Sequence, residues 1–81
     1  MDDLRYNVLV DAILKVLQVY IKEVDLKSTF REDLGADSLD MLQIQQLVEK
    51  ELNITMDDVE VANIKTVEDA YELIKKADKS L

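Results

Sequence analysis

The sequence predicts an all-α domain: a four-helix bundle with a short third helix and a long loop between the first and second helices. Three observations support this fold class. Apolar residues recur at steps of three and four in several segments, which is the period of an amphipathic helix. No segment alternates cleanly between apolar and polar residues, as a half-buried strand would. The 81 residues include one glycine and no proline, so few positions interrupt a helix. At this length we expect residues 1–81 to form a single domain.

The first predicted helix lies between Asp2 and Tyr20, where apolar residues recur on one side. That stripe comprises Leu4, Val8, Leu9, Ala12, Ile13, Val16, Leu17 and Tyr20. A second apolar strip consists of Tyr6, Val10, Leu14 and Ile21. Because the two strips together are broader than a surface helix needs, they predict either a wide contact with the core or a surface for a partner.

The helical period fails from Lys22 to Asp37, where polar and turn-forming residues separate isolated apolar ones. A loop of this length without secondary structure of its own is uncommon and usually functional. We expect an ordered loop that is anchored to the core by apolar residues, among them Phe30 and Leu34. Gly35 offers a position for a positive φ angle just before the next helix.

The second helix is predicted from Ser38 to Leu52. Asp37 is a good N-cap residue, Asp40 follows three positions later, and Asn53 suits the end of the helix. The predicted buried side is formed by Leu42, Ile44, Leu47, Val48 and Leu52.

A short third helix is predicted from Asp57 to Asn63, with Val59 and Val61 facing inward. The fourth helix begins after Thr66, which together with Asp69 resembles a capping box. Its apolar stripe comprises Val67, Ala70, Tyr71, Leu73 and Ile74. The lysines at its end are Lys75, Lys76 and Lys79. Positive charge there complements the negative pole of the helix dipole.

The composition argues against several classes of function. Acidic residues outnumber basic ones 18 to 10, and the net charge of −8 opposes binding to nucleic acid or to an anionic membrane. The same charge favours basic surfaces on partner proteins. The chain has no cysteine and no histidine, so it lacks a thiol nucleophile and the commonest general base. We therefore expect a protein that is not an enzyme.

The sequence also lacks the marks of a secreted or membrane-spanning protein. It has no signal-peptide pattern and no apolar stretch long enough to span a bilayer. We expect a cytoplasmic monomer without membrane insertion. The acidic residues around Gly35 do not follow the ligand order of an EF-hand, so no dedicated metal site is expected.

The stretch from Leu34 to Asp40, which reads LGADSLD, holds the main candidates for function. It places the hydroxyl of Ser38 on the first turn of a helix, directly after a long loop and a glycine. Free backbone N–H groups at a helix N-terminus favour a phosphate group. Asp37 and Leu39 flank the serine with an acidic and an apolar side chain, and we expect Leu39 to be exposed. Taken alone, the serine also fits an ordinary helix start.

This stretch resembles the phosphopantetheine attachment motif of acyl carrier proteins, whose centre is Asp-Ser-Leu. The resemblance covers nearly the whole chain. Phe30, Asp33 and Leu34 fit the family's lead-in to the motif, and the stretch from Ile64 to Val67 fits the entry to its last helix. It implies a four-helix carrier, with 4′-phosphopantetheine from coenzyme A attached to Ser38 by a phosphopantetheinyl transferase. The thiol of that arm is then expected to hold acyl groups for acyl-transferring and ketosynthase-type enzymes of fatty-acid, polyketide or related lipid biosynthesis.

In the family, the second helix presents an acidic and apolar face to basic patches on partner enzymes. By resemblance, the partner-binding residues here are Asp37, Leu39, Asp40, Gln43, Gln46, Glu49, Asp58 and Glu60. Gln43 replaces a common acid and Gln46 replaces a common exposed apolar residue. We therefore expect a specialised carrier rather than a housekeeping one.

The acyl chain itself is expected to fold back between the helices. The expected pocket is lined by Ile44, Leu47, Ile64 and Tyr71. Longer chains should then raise thermal stability, because they bind only the folded state.

Two other functions fit parts of the same sequence. One is a peptidyl or aminoacyl carrier of the same fold, although the aspartate before Ser38 and the acidic balance favour acyl cargo. The other is an acidic helical adaptor that binds basic partners without a prosthetic group. An adaptor explains the charge and the helices but gives no reason for the LGADSLD stretch.

Overall fold

The computed structural model describes residues 3–78 and contains four α-helices within that range. These are α1 (Leu4–Leu17), α2 (Ser38–Leu52), α3 (Asp58–Asn63) and α4 (Val67–Ala77). Among these residues the only β pairing is an isolated bridge between Thr29 and Thr66, so the predicted all-α class is confirmed. Asp2 and Lys79, which were predicted at the start of the first helix and at the end of the last, lie outside the described residues.

Local capping sets the helix boundaries. The side chain of Asp37 accepts a hydrogen bond from the Asp40 backbone N–H at 2.9 Å, and the Asp40 carboxylate accepts one from the Asp37 N–H at 3.1 Å. Thr66 and Asp69 form the same reciprocal pair at the start of α4. The predicted starts of both helices are therefore confirmed. The C-terminal end of α2 is capped by Asn53, whose φ of 55° lies in the left-handed region.

The segment from 18 to 37 is held against the rest of the chain by backbone hydrogen bonds. The N–H of Phe30 donates to the carbonyl of Lys65 at 2.9 Å, and the N–H of Val67 donates to the carbonyl of Ser28 at 3.0 Å. The Phe30 side chain is 1% exposed and anchors the segment in the core. A 3₁₀ helix at Ile21–Glu23 was not predicted from the sequence. These contacts fix where the chain enters α2.

The core lies where α1, α2, α4 and the anchored loop meet. Its largest fully buried side chains are Leu9, Ile13, Phe30, Val48, Val67 and Ile74. Several residues predicted to face inward are exposed instead. Leu4, the first residue of α1, is exposed, whereas Val10 of the second strip is buried. The first helix was predicted to reach Tyr20, but it ends at Leu17 because Gln18 adopts a left-handed φ of 55°, and Tyr20 and Ile21 beyond it are exposed.

The prediction was also wrong for Leu42, Leu47 and Val59, which are exposed. Helical geometry gives the reason. Successive residues are about 100° apart, so Val59 and the buried Val61 point to opposite sides of α3. On α2 the buried seam runs along Ile44 and Val48, and Leu42 lies on the opposite side from Ile44.

Within residues 3–78, no helix is both long enough and apolar enough to cross a membrane. The longest of them, α2, has 15 residues.

Candidate functional site

The anchored loop delivers Ser38 to the surface as the first residue of α2, and its side chain is exposed. The turn before it closes when the N–H of Ala36 donates to the carbonyl of Phe30 at 2.7 Å. Gly35 in this turn has a φ of +71°, and a Cβ there would meet no atom within 4 Å. The backbone conformation, rather than a lack of space, therefore favours glycine at this position.

The surroundings of the Ser38 hydroxyl suit a negatively charged group. Asp37 takes the N–H of Asp40, which leaves the first-turn N–H groups of Ser38 and Leu39 without an acceptor inside the helix. A guanidinium nitrogen of Arg31 donates to the Ser38 Oγ at 3.4 Å. Sequence reasoning missed Arg31. The sequence feature that could have identified it is that Arg31 is the only basic residue between Lys27 and Lys50.

A groove of about 270 Å³ opens beside the serine, between α2 and α3. It is lined by Phe30, Arg31, Ser38, Met41, Leu42, Gln45, Asp58, Val61, Ala62 and Ile64. The hydroxyl, the adjacent cation and the groove together fit a long group attached to Ser38 through a phosphate.

Comparisons with known proteins agree with this geometry. Residues 7–74 match the family described as "Phosphopantetheine attachment site". The acyl carrier protein of Treponema denticola is 39% identical over 79 residues, which cover 98% of this chain and 100% of that protein. The acyl carrier protein of Treponema pallidum (strain Nichols) is 43% identical over 63 residues, covering 78% of this chain and 81% of that protein. That of Porphyromonas gingivalis (strain ATCC 33277) is 40% identical over 67 residues, covering 83% and 86%.

The chain belongs to the acyl carrier protein family. Members of this family bear a 4′-phosphopantetheine prosthetic group, and they are carriers rather than enzymes. In general they interact with a phosphopantetheinyl transferase and with acyl-handling enzymes.

The residues expected to form the carrier's docking face fall into two groups. Asp37, Leu39, Asp40, Gln43 and Gln46 lie on α2 or at its cap. All of these are exposed except Asp40, which is half-buried. The exposure predicted for Leu39 is therefore observed.

The other three residues expected on the docking face are acids with partners inside the carrier. Glu49 accepts a hydrogen bond from the backbone N–H of Met56 at 2.8 Å. Asp58 accepts one from the side chain of Gln45 at 2.8 Å. Glu60 forms an ion pair with Lys76 at 2.8 Å. These three carboxylates thus hold the carrier's own elements together.

The four residues expected to form the acyl pocket do not come together. Ile44 and Ile64 line a narrow space of about 20 Å³ that lies inward of the groove, among α1, α2 and α4. Leu47 faces a separate groove between α1 and α2. Tyr71 packs edge-to-face on Tyr6, with ring centroids 5.4 Å apart, and its hydroxyl donates to Asp3.

Within residues 3–78, no group of three or more acidic side chains is arranged to hold a metal ion.

Proposed function

We propose that this carrier holds acyl groups on a 4′-phosphopantetheine arm attached to Ser38. It would present them to enzymes of fatty-acid, polyketide or related lipid biosynthesis, in a specialised rather than a housekeeping pathway. The observation that carries the proposal is the exposed Ser38 hydroxyl, which lies at the start of α2 beside Arg31 and an open groove. When attached, the arm supplies a thiol that holds acyl groups as thioesters, a function that a chain without cysteine cannot provide itself.

The residues around Ser38 have distinct roles in this proposal. The Ser38 Oγ provides the attachment point. The Arg31 guanidinium lies close enough to offset the charge of a phosphodiester on that oxygen. The capping box of Asp37 and Asp40 fixes the first turn of α2, so the backbone that carries the Ser38 hydroxyl is presented to the transferase in one conformation.

The proposed docking face supports a specialised set of partners. Its most accessible part combines the acid Asp37 and the apolar Leu39 with the uncharged amides of Gln43 and Gln46. Amide groups bind partners through short-range hydrogen bonds, whereas acidic groups attract basic patches over a longer range. A partner selected for the family's acidic and apolar face would meet an amide in place of an acid at Gln43 and an amide in place of an apolar side chain at Gln46.

For the acyl chain, we propose the region between α2 and α3, with Ile44 and Ile64 at its inner end. Leu47 and Tyr71 remain part of the original expectation, but they lie outside this region and give it no support: Leu47 lines another groove, and Tyr71 is buried against Tyr6.

We also propose that residues 1–81 act as one carrier domain and as a monomer in the cytoplasm. The net charge of −8 favours the monomer, because two copies repel each other. Light scattering at low and high salt tests the oligomeric state.

Intact-mass measurement after incubation with coenzyme A and a broad-specificity phosphopantetheinyl transferase tests the attachment. We expect the mass of the wild type to increase by one phosphopantetheine group and the mass of Ser38→Ala to stay unchanged. Thr55→Ala is the matched control, since it removes another exposed hydroxyl and should be modified like the wild type. An unmodified wild type would contradict the proposal and favour the adaptor function.

A further inference from the structure

Gln45 is an unusual residue to find inside this bundle. It is 6% exposed, and it is the only buried side-chain amide among residues 3–78. Its Nε2 donates to a carboxylate oxygen of Asp58 at 2.8 Å and to one of Glu49 at 3.3 Å. The first of these bonds joins α2 to α3. Because a buried amide is costly without partners, these bonds hold Gln45 in place.

The position of Gln45 lies between the surface groove and the space inside it. Five residues line both, namely Phe30, Met41, Gln45, Val61 and Ile64. Four of them are apolar, so Gln45 is the polar member of this boundary. The groove holds about 270 Å³ and the inner space about 20 Å³, which is room for about one water molecule. A chain of several methylene groups therefore enters the interior only if the boundary residues move apart.

Moving Gln45 aside breaks its bond to Asp58. An apolar chain offers no hydrogen-bond partner in return, so the amide would lose its shorter bond and keep only the longer one to Glu49 at 3.3 Å. A short acyl group that stays in the groove leaves the bond intact. Loss of the Gln45–Asp58 hydrogen bond is thus unfavourable for long apolar acyl chains, which must open the boundary, and does not affect short ones.

We infer that Gln45, held by Asp58, is a specificity-determining residue that excludes long apolar acyl chains from the interior of this carrier. The inference rests on the proposed attachment at Ser38. It limits the expectation that longer chains raise thermal stability, because that effect requires the chain to enter the core.

The test compares melting temperatures of the carrier loaded with butyryl or octanoyl arms, prepared from the corresponding acyl-coenzyme A and a phosphopantetheinyl transferase. Intact mass first establishes that each form is loaded. In the wild type we expect the two melting temperatures to agree within about 2 °C. In Gln45→Met, which keeps the length of the side chain but removes the amide, the octanoyl form should melt about 4–8 °C above the butyryl form.

Three further variants separate the hydrogen bond from other effects. Asp58→Ala alters an exposed side chain and removes the main acceptor, so it should raise the melting temperature of the octanoyl form relative to that of the butyryl form. Asp58→Asn keeps an acceptor oxygen and should behave as the wild type. Gln46→Met makes the same substitution at the exposed neighbouring position, and its butyryl and octanoyl forms should also have equal melting temperatures.

Each outcome decides the inference. Octanoyl stabilisation of the wild type as large as that of Gln45→Met would overturn it, because Gln45 would then exclude nothing. Level melting temperatures in both Gln45→Met and Asp58→Ala would overturn it too, since another feature would then exclude the chain. If neither the wild type nor any variant gains mass, the proposed attachment at Ser38 is wrong. If the carriers are loaded but the difference between octanoyl and butyryl melting temperatures is the same in wild type and variants, only the role of Gln45 is refuted.

Discussion

Arg31 should stabilise the modified carrier relative to the unmodified one. Its guanidinium lies 3.4 Å from the Ser38 Oγ, the atom to which the phosphate is proposed to bond. A phosphodiester adds one negative charge beside Asp37 and Asp40, which already carry the same charge. In Arg31→Gln this charge would have no cation next to it, so modification should stabilise the variant less than the wild type.

The size of the effect follows from the distance and the exposure. Two opposite charges about 4 Å apart attract by about 1 kcal/mol in water, and exposed pairs typically contribute about 0.2–1 kcal/mol. For a domain of this size, 1 kcal/mol corresponds to about 4–8 °C in melting temperature. We therefore expect the difference in melting temperature between modified and unmodified forms to be about 1–8 °C smaller in Arg31→Gln than in the wild type at low salt.

Differential scanning calorimetry of both forms at low and high ionic strength measures this difference. At about 1 M salt the screening length falls to about 3 Å, so the contribution of Arg31 should largely vanish. Lys50→Gln is the matched control, since it removes an exposed base at the far end of α2. A wild-type difference that Arg31→Gln leaves unchanged at low salt would refute the proposed contact with the phosphate.

Two further predictions concern stability. Val61→Ala, at a buried position, should lower the free energy of unfolding by about 1–3 kcal/mol. Val59→Ala, at a position that is 69% exposed, should change it by less than about 0.5 kcal/mol. Urea denaturation of the two variants measures both changes, and equal losses would contradict the orientation of α3. Hydrogen bonds from Arg5, and then from Tyr71, hold the pKa of Asp3 well below its usual range. Asp3 therefore contributes stability above the ordinary carboxyl pKa near 4, and this contribution is lost as the pH falls from there toward the folded-state pKa. The stability difference between wild type and Asp3→Asn should accordingly shrink from about pH 6 to about pH 2 in urea titrations, and a difference independent of pH would contradict it.

The sequence predicted the features that depend on local interactions. The starts of α2 and α4 follow from the reciprocal pairs of Asp37 with Asp40 and of Thr66 with Asp69, which form within a single turn. The position of Ser38 on the first turn of α2 follows directly from the first of these pairs. The exposure of Leu39 was predicted correctly at the same turn.

The features that were missed depend on packing between distant segments. Gln45 is polar and carries no sign of burial in the sequence. It is adjacent to Ile44 and one helical turn before Val48, so it lies at the edge of the buried seam of α2. Its partner Asp58 comes close only when α3 packs beside α2. The pattern of apolar residues likewise assigned Leu42 to the core, because periodicity alone does not show which neighbouring element covers a helix face.

The internal partners of three acids change what the docking face can contribute to recognition. A partner that binds Glu49, Asp58 or Glu60 has to compete with contacts that hold the carrier together. In the proposed docking mode, recognition at close range would therefore be concentrated on the first turns of α2, next to Ser38, where Leu39 and the amide of Gln43 are exposed. The net charge of −8 still attracts basic surfaces at longer range, which raises the rate of encounter more than it selects among partners. On this view, the acids bring many basic enzymes to the carrier, and the few residues beside the attachment point decide which of them bind productively.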